Sequence, residues 1–298
     1  MNEFELIDHF FAQQKQSRSD VVLGIGDDAA LLQVPPDQLL VTSTDTLISG
    51  VHFPIDTSPY DIGYKSLAVN LSDLAAMGAE PAWVMLALTL PQNNENWLKE
   101  FTRGFFELIH RYKLQLVGGD TTRGPLSITV QAMGFVPPGM ALRRDGAKPD
   151  NAIYVTGNLG DAGFALQQKT EPFMNCLNRP EPRIETGLAL RGIASSAIDI
   201  SDGLAAELGH ILKASGVGAT VDVTALPISS ELRAAVGQEK AWQLALSAGD
   251  DYELCFTAPT DKSVSGICIG HIEKEPGLRL QQGDGKPFVL KSEGFRHF

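Results

Sequence analysis

The sequence predicts an α/β protein organised as two domains, and three observations carry that expectation. Short apolar runs alternate with segments whose apolar residues recur at helical spacing. The 298 residues, 43% of them hydrophobic, are enough to bury two cores. A polar stretch containing proline and glycine interrupts the pattern near the middle.

The elements follow in order. Phe4, Ile7, Phe10 and Phe11 repeat every three to four residues, so a short amphipathic helix precedes a strand at Val21–Leu23. Residues 39–44 read as the next strand. Ser58, Pro59 and Asp61 then supply a cap, a first-turn proline and a carboxylate near the positive end of a helix dipole. That helix runs to Met77 and ends at Gly78. Its core stripe is Tyr64, Leu67, Ala68, Leu71, Leu74 and Ala75, while Asn70, Asp73 and Met77 form another flank from which Asp73 projects toward the domain surface.

A strand at 82–90, a helix at 97–112 and strands at 114–117 and 126–136 complete the first domain. Pro137-Pro138-Gly139 and the polar run 143–150 mark the junction, giving domains at 1–140 and 150–298. The second opens with a strand at Ala152–Val155, followed by helices after Gly160, at about 185–195 and at 202–214. Strands follow at 219–223, 252–257 and 266–269.

Charge and cysteine usage exclude several functions. Acidic residues number 36 against 24 basic ones, so the electrostatic footprint of a nucleic-acid or anionic-membrane partner is missing. Cys176, Cys255 and Cys268 show no C-x-x-C spacing and read as reduced, apolar fillers. Glu3, Glu5 and Asp8 near the N-terminus are unlike a signal peptide, and no apolar run approaches the roughly 18 residues of a spanning helix. A soluble cytoplasmic protein is expected.

The chemistry is carried by aspartates: Asp27-Asp28, Asp45, Asp73, Asp120, Asp199, Asp202 and Asp250-Asp251, read as lying where elements end. One such residue is ordinarily a turn or cap. Recurrence at several strand ends points instead to a multi-metal phosphate site, since converging carboxylates need a hard divalent cation, with magnesium the natural candidate. Asp45, Asp73 and Asp120 are expected to meet around shared ions.

Gly24-Ile25-Gly26-Asp27-Asp28-Ala29 matches the dinucleotide pattern G-x-G-x-x-A, but Pro35-Pro36 leaves no room for the helix that pattern needs. No Walker A, H-E-x-x-H or G-x-S-x-G motif occurs.

Seven motifs in order, G-I-G-D-D-A (24–29), S-T-D-T-L (43–47), N-L-S-D-L-A-A-M-G-A (70–79), G-G-D-T (118–121), D-I-S-D-G-L (199–204), A-L-S-A-G-D-D-Y-E-L (245–254) and the C-terminal G-F-R-H-F, resemble the thiamine-monophosphate kinase family over essentially the whole chain. The resemblance implies the two-domain fold of aminoimidazole ribonucleotide synthetase. In that fold, N-terminal sheets pair across a homodimer, and a C-terminal α/β domain completes an active site at the dimer interface.

It further implies ATP as co-substrate, thiamine monophosphate as acceptor and several Mg2+ ions. The metal ligands would be Asp28, Ser43, Thr44, Asp45, Asp73, Asp120, Asp199 and Asp202, with Asp27 a neighbour. Gly119, Asp120, Arg144 and Ser201 would contact ATP, and His52, Asp250 and Phe295 the substrate. Arg144, beside Arg143 and Lys148, would close over the phosphates, and Asp202 would begin a helix whose amides face them. The chain departs from the family's G-G-E-D-Y-E-L at Ala248 and Asp250, where a side chain one methylene shorter implies a water-mediated contact. A selenophosphate synthetase would carry a reactive cysteine near its N-terminus, and no cysteine here precedes Cys176.

Overall fold

Apolar residues at the start of the chain form α1 (Glu3–Ile7), continued by a wider helical turn over Asp8–Ala12, with Leu6 and Phe11 buried. The computed structural model describes residues 3–12 and 18–291, so Phe295 lies outside the described residues. The chain divides into two units, one comprising residues to Leu74 together with Ala79–Gly139, the other Ala75–Gly78 together with Met140 onward.

In the N-terminal unit β1 (Val21–Leu23) and β2 (Leu31–Leu32) form an antiparallel pair. There is no helix after Gly24–Ala29, which removes the dinucleotide reading structurally as well. Next come β3 (Leu39–Ile48), α2 (Pro59–Ala76), β4 (Glu80–Leu90), α3 (Glu95–Arg111), β5 (Gln115–Arg123) and β6 (Ser127–Val136). The sheet order is β3-β6-β4-β5, so β3 and β5 are its two edges.

The predicted stripe of α2 is buried throughout, and each fully buried leucine contributes about 2 kcal/mol. On the other flank Asn70 is wholly buried while Asp73 is partly exposed, and both face β3. Helices α2 and α3 meet backbone to backbone: a Cβ on Gly63 would overlap the Phe101 carbonyl, and one on Gly104 that of Tyr60. Asn94 caps α3 by accepting from the Trp97 amide at 3.1 Å. Trp83 is held by a T-shaped contact with Phe135 and by its indole N–H donating to Asp20 at 2.9 Å.

The C-terminal unit comprises β7 (Ala152–Val155), α4 (Asp161–Gln168), α5 (Phe173–Asn178), α6 (Ile184–Ala189), β8 (Ser196–Asp199), α7 (Leu204–Ser215), β9 (Gly218–Asp222), α8 (Ser230–Val236), α9 (Gln238–Ser247), β10 (Leu254–Ala258), β11 (Ile267–Glu273) and β12 (Gly277–Gln281). The six strands run in the order β12-β9-β11-β7-β10-β8. Ile153, Val155, Ile198, Val221 and Ile269 from the strands join Leu208, Ile211 and Leu244 from the helices in one core.

Several expectations shift. The helix foreseen at 185–195 stops at Ala189, leaving room for β8. The helix foreseen from Asp202 begins at Leu204, because Gly203 adopts φ 107° and breaks the run. Only Cys255 is a buried filler; Cys176 and Cys268 are exposed. Among the described residues no helix is long and apolar enough to cross a membrane.

Candidate active site

Asp45 lies in the middle of β3 rather than at its end, and Asp73 lies within α2. Alternation along β3 turns Ser43 and Asp45 to one face and Thr44 to the other. On the first face Ser43 Oγ donates to Asp73 at 2.5 Å, and the Asp45 amide donates to Asn70 Oδ1 at 3.1 Å. The carboxyls of Asp45 and Asp73 are also in contact: burial, then the charge and hydrogen bond of Asp73, push the Asp45 pKa up to about 7. Two acids and a hydroxyl thus converge where a cation would replace a shared proton.

Asp120 is elsewhere on the sheet. Pairing across the strands links Asp45 to Val130, Leu86 and Gly119, and links Thr46 to Thr129, Ala87 and Asp120. Cross-strand partners share a face, so Asp120 is on the side opposite Asp45. The separation is three strand spacings, about 14 Å. The expected meeting of Asp120 with Asp45 and Asp73 therefore does not occur within the sheet of one protomer. Among the described residues no three acidic, histidine or cysteine side chains close around one metal position.

Asp120 instead lines a cavity of about 470 Å³ together with Asp27, Asp28, Ile7, Phe11, Met85 and Leu116. Gly119 is obligatory at its edge, since φ is 152° and a Cβ would collide with the Leu86 carbonyl. Its lining combines apolar side chains with carboxylates, which suit a planar base and cation-bound phosphate respectively. The apolar lining at Ile7 and Phe11 was foreseen only as a helix face.

His52 Nδ1 accepts from the Ile48 amide at 3.0 Å, so the neutral ring carries its proton on Nε2. Lys65, only 2% exposed, places its ammonium 3.5 Å from the His52 carbonyl and braces that turn.

In the C-terminal unit Asp199 ends β8 and is buried, while Ser201 and Asp202 occupy the loop before α7. Asp250 adopts φ 60°, and its amide donates to the Ser201 carbonyl at 2.8 Å, so these site residues are brought together. Arg144 is exposed on a single helical turn, Arg144–Gly146, and Arg143 pairs with Asp145.

Two further groups were not foreseen. Glu253 accepts from Arg183 through both carboxylate oxygens and from Thr156 Oγ. Glu207, buried in α7, accepts from Ser201 Oγ; burial raises its pKa, opposed by that bond.

This pair of units with carboxylate-bearing strands and loops defines a class. Family models described as AIR synthase related protein, N-terminal domain and C-terminal domain, match residues 26–136 and 148–275. The chain is 50% identical to the thiamine-monophosphate kinase of Escherichia coli strain K12, over 99% of this chain and 98% of that protein. It is 35% identical to the one from Bacillus subtilis strain 168, over the full length of both. Among solved structures, thiamine-monophosphate kinase from Stenotrophomonas maltophilia K279a superposes with a TM-score of 0.87 at 47% identity, covering 97% of this chain and 98% of that one. AaThiL complexed with AMPPCP and TMP gives 0.80 at 31% identity, covering 99% and 97%. The chain belongs to the thiamine-monophosphate kinase family.

Proposed function

We propose that this protein transfers the γ-phosphate of ATP to thiamine monophosphate, yielding thiamine diphosphate and ADP. The observation that carries this reading is its likeness along essentially the whole chain to thiamine-monophosphate kinases, at 50% identity for the Escherichia coli K12 protein. A structural neighbour holding AMPPCP, a methylene-bridged ATP analogue, together with TMP supports the same pair of ligands.

The side chains fit magnesium as cofactor. Asp45 and Asp73 present hard oxygen donors in contact, with the Ser43 hydroxyl beside them, as an oxygen-seeking divalent ion requires. The residues that would hold it are Asp28, Ser43, Thr44, Asp45, Asp73, Asp120, Asp199 and Asp202. Bound Mg2+ would neutralise phosphate charge as transfer proceeds. Gly119, Asp120, Arg144 and Ser201 bind ATP, with the base against the apolar lining at Ile7 and Phe11; His52, Asp250 and Phe295 bind the acceptor.

A terminal phosphate oxygen of thiamine monophosphate forms the new bond to the γ-phosphorus, the bond to the β,γ-bridging oxygen breaks, and ADP leaves. That oxygen is already anionic near neutral pH, so His52 has only to orient the acceptor and no strong base is required. A homodimer built through the N-terminal sheets completes the site, because β3 and β5 are opposite edges and carry Asp45 and Asp120. The free thiols and the use of ATP fit the cytoplasm.

The test is direct. Purified protein supplied with ATP, Mg2+ and thiamine monophosphate should release ADP and thiamine diphosphate in equal amounts, and chelation of the metal should stop both. Tight binding of the two ligands without ADP release would make the protein a sensor and end the kinase reading.

A further inference from the structure

Glu207 stands in the first turn of α7, in phase with Leu204, Leu208 and Ile211, and is only 5% exposed. A carboxylate at a core position is costly unless its oxygens are satisfied, so its partners decide what it does. It accepts from Ser201 Oγ at 3.1 Å and from the Asp202 amide at 3.4 Å.

The loop it holds is joined to a second one. The Ser201 carbonyl accepts from the Asp250 amide, and the Ile200 carbonyl from the Tyr252 amide, both at 2.8 Å. Gly249 has φ 74°, and a Cβ there would run into the Ser201 carbonyl oxygen. A Cβ on Gly203 would lie 2.8 Å from the Ser247 Cα. Loop 200–203 and turn 247–252 are therefore stacked backbone on backbone at these glycines.

We infer that Glu207 is a positioning residue that fastens the Ser201–Asp202 loop and, through the Ser201 carbonyl, the Asp250 turn, so that one buried carboxylate sets the groups for nucleotide and acceptor together. The inference rests on the roles proposed above for Ser201, Asp202 and Asp250. A carboxylate that merely capped α7 would affect melting temperature and leave both Michaelis constants unchanged.

The experiment compares the full-length protein with Glu207→Gln and Glu207→Ala. Glutamine keeps the accepting oxygen and should behave as the unmodified protein. Alanine should raise KM for both ATP and thiamine monophosphate about tenfold. It should also speed amide hydrogen exchange across 249–252 about tenfold, with Leu254–Ala258 unchanged. Unchanged exchange at 249–252, or a rise in KM for ATP alone, would overturn the inference.

If the alanine variant fails to fold, Glu207→Asp withdraws the carboxylate by one methylene and carries the same readouts. Exchange needs no substrate. A folded protein that does not phosphorylate thiamine monophosphate thus fails the functional reading, while the exchange comparison still decides the role of Glu207.

Discussion

In the N-terminal unit the half-buried carboxyl of Asp45 faces another carboxyl, Asp73, whereas in the C-terminal unit the buried Glu253 meets the Arg183 guanidinium and the Thr156 hydroxyl. Both are acids withdrawn from water, and the contrast lies in their neighbours. Glu253 has its counter-charge built into the chain and serves the fold. Asp45 is pushed toward the neutral form by its surroundings, a state that the proposed divalent ion would reverse.

The largest test of this contrast is on turnover. Asp45→Asn should lower kcat at least 100-fold, about 3 kcal/mol of transition-state stabilisation. Its melting temperature should hold or rise, since a like-charge contact is relieved. Asp120→Asn should lower turnover comparably. If the dimer joins Asp45 of one protomer to Asp120 of the other, mixing the two inactive variants should restore activity through heterodimers with one intact site; no recovery would rule out a site shared in that way.

Arg183→Ala should act on stability instead, lowering it by about 3 kcal/mol in urea titration by leaving Glu253 buried without its partner. Asp250→Ala should raise KM for thiamine monophosphate about tenfold with little change in kcat, and a pure turnover defect would contradict a binding role.

The smallest effect concerns Asp251. Its carboxyl is buried, and burial raises its pKa well above the ordinary value, opposed by the Gly160 amide and reinforced by Glu253, Asp161 and Asp250. The folded chain then holds a proton that the unfolded chain releases, so this group's contribution falls as pH rises from the unfolded toward the folded value. Asp251→Asn lacks that slope, and its melting temperature relative to the unmodified protein should increase from acidic to neutral pH.

Much of the first unit is legible in the sequence because its signals are local. Ser58, Pro59 and Gly78 bracket α2, and the stripe from Tyr64 to Ala75 packs as its spacing predicts. The elements missed in the second unit lack such signals: β8 is four residues long with no alternation, and α8 and α9 are rich in polar residues. Motif order identified the acids, but their grouping depended on strand order, which no single motif encodes. That Asp120 and Asp45 lie on opposite edges of one sheet could not be read from the motifs for that reason. The pairing of Arg183 with Glu253 spans 70 positions and leaves no local trace. Glu207 did leave one, an acid occupying an apolar phase of α7.

The crossing of α2 and α3 at Gly63 and Gly104 has a bearing on chemistry far from either glycine. Asp73 rides on α2, and its height above β3 is fixed by how deeply that rod seats against its neighbour. A methyl group added at Gly104 would lever the rod outward, carrying the acid away from Ser43 and Asp45. The harm would surface as weakened cation capture before it surfaced as unfolding.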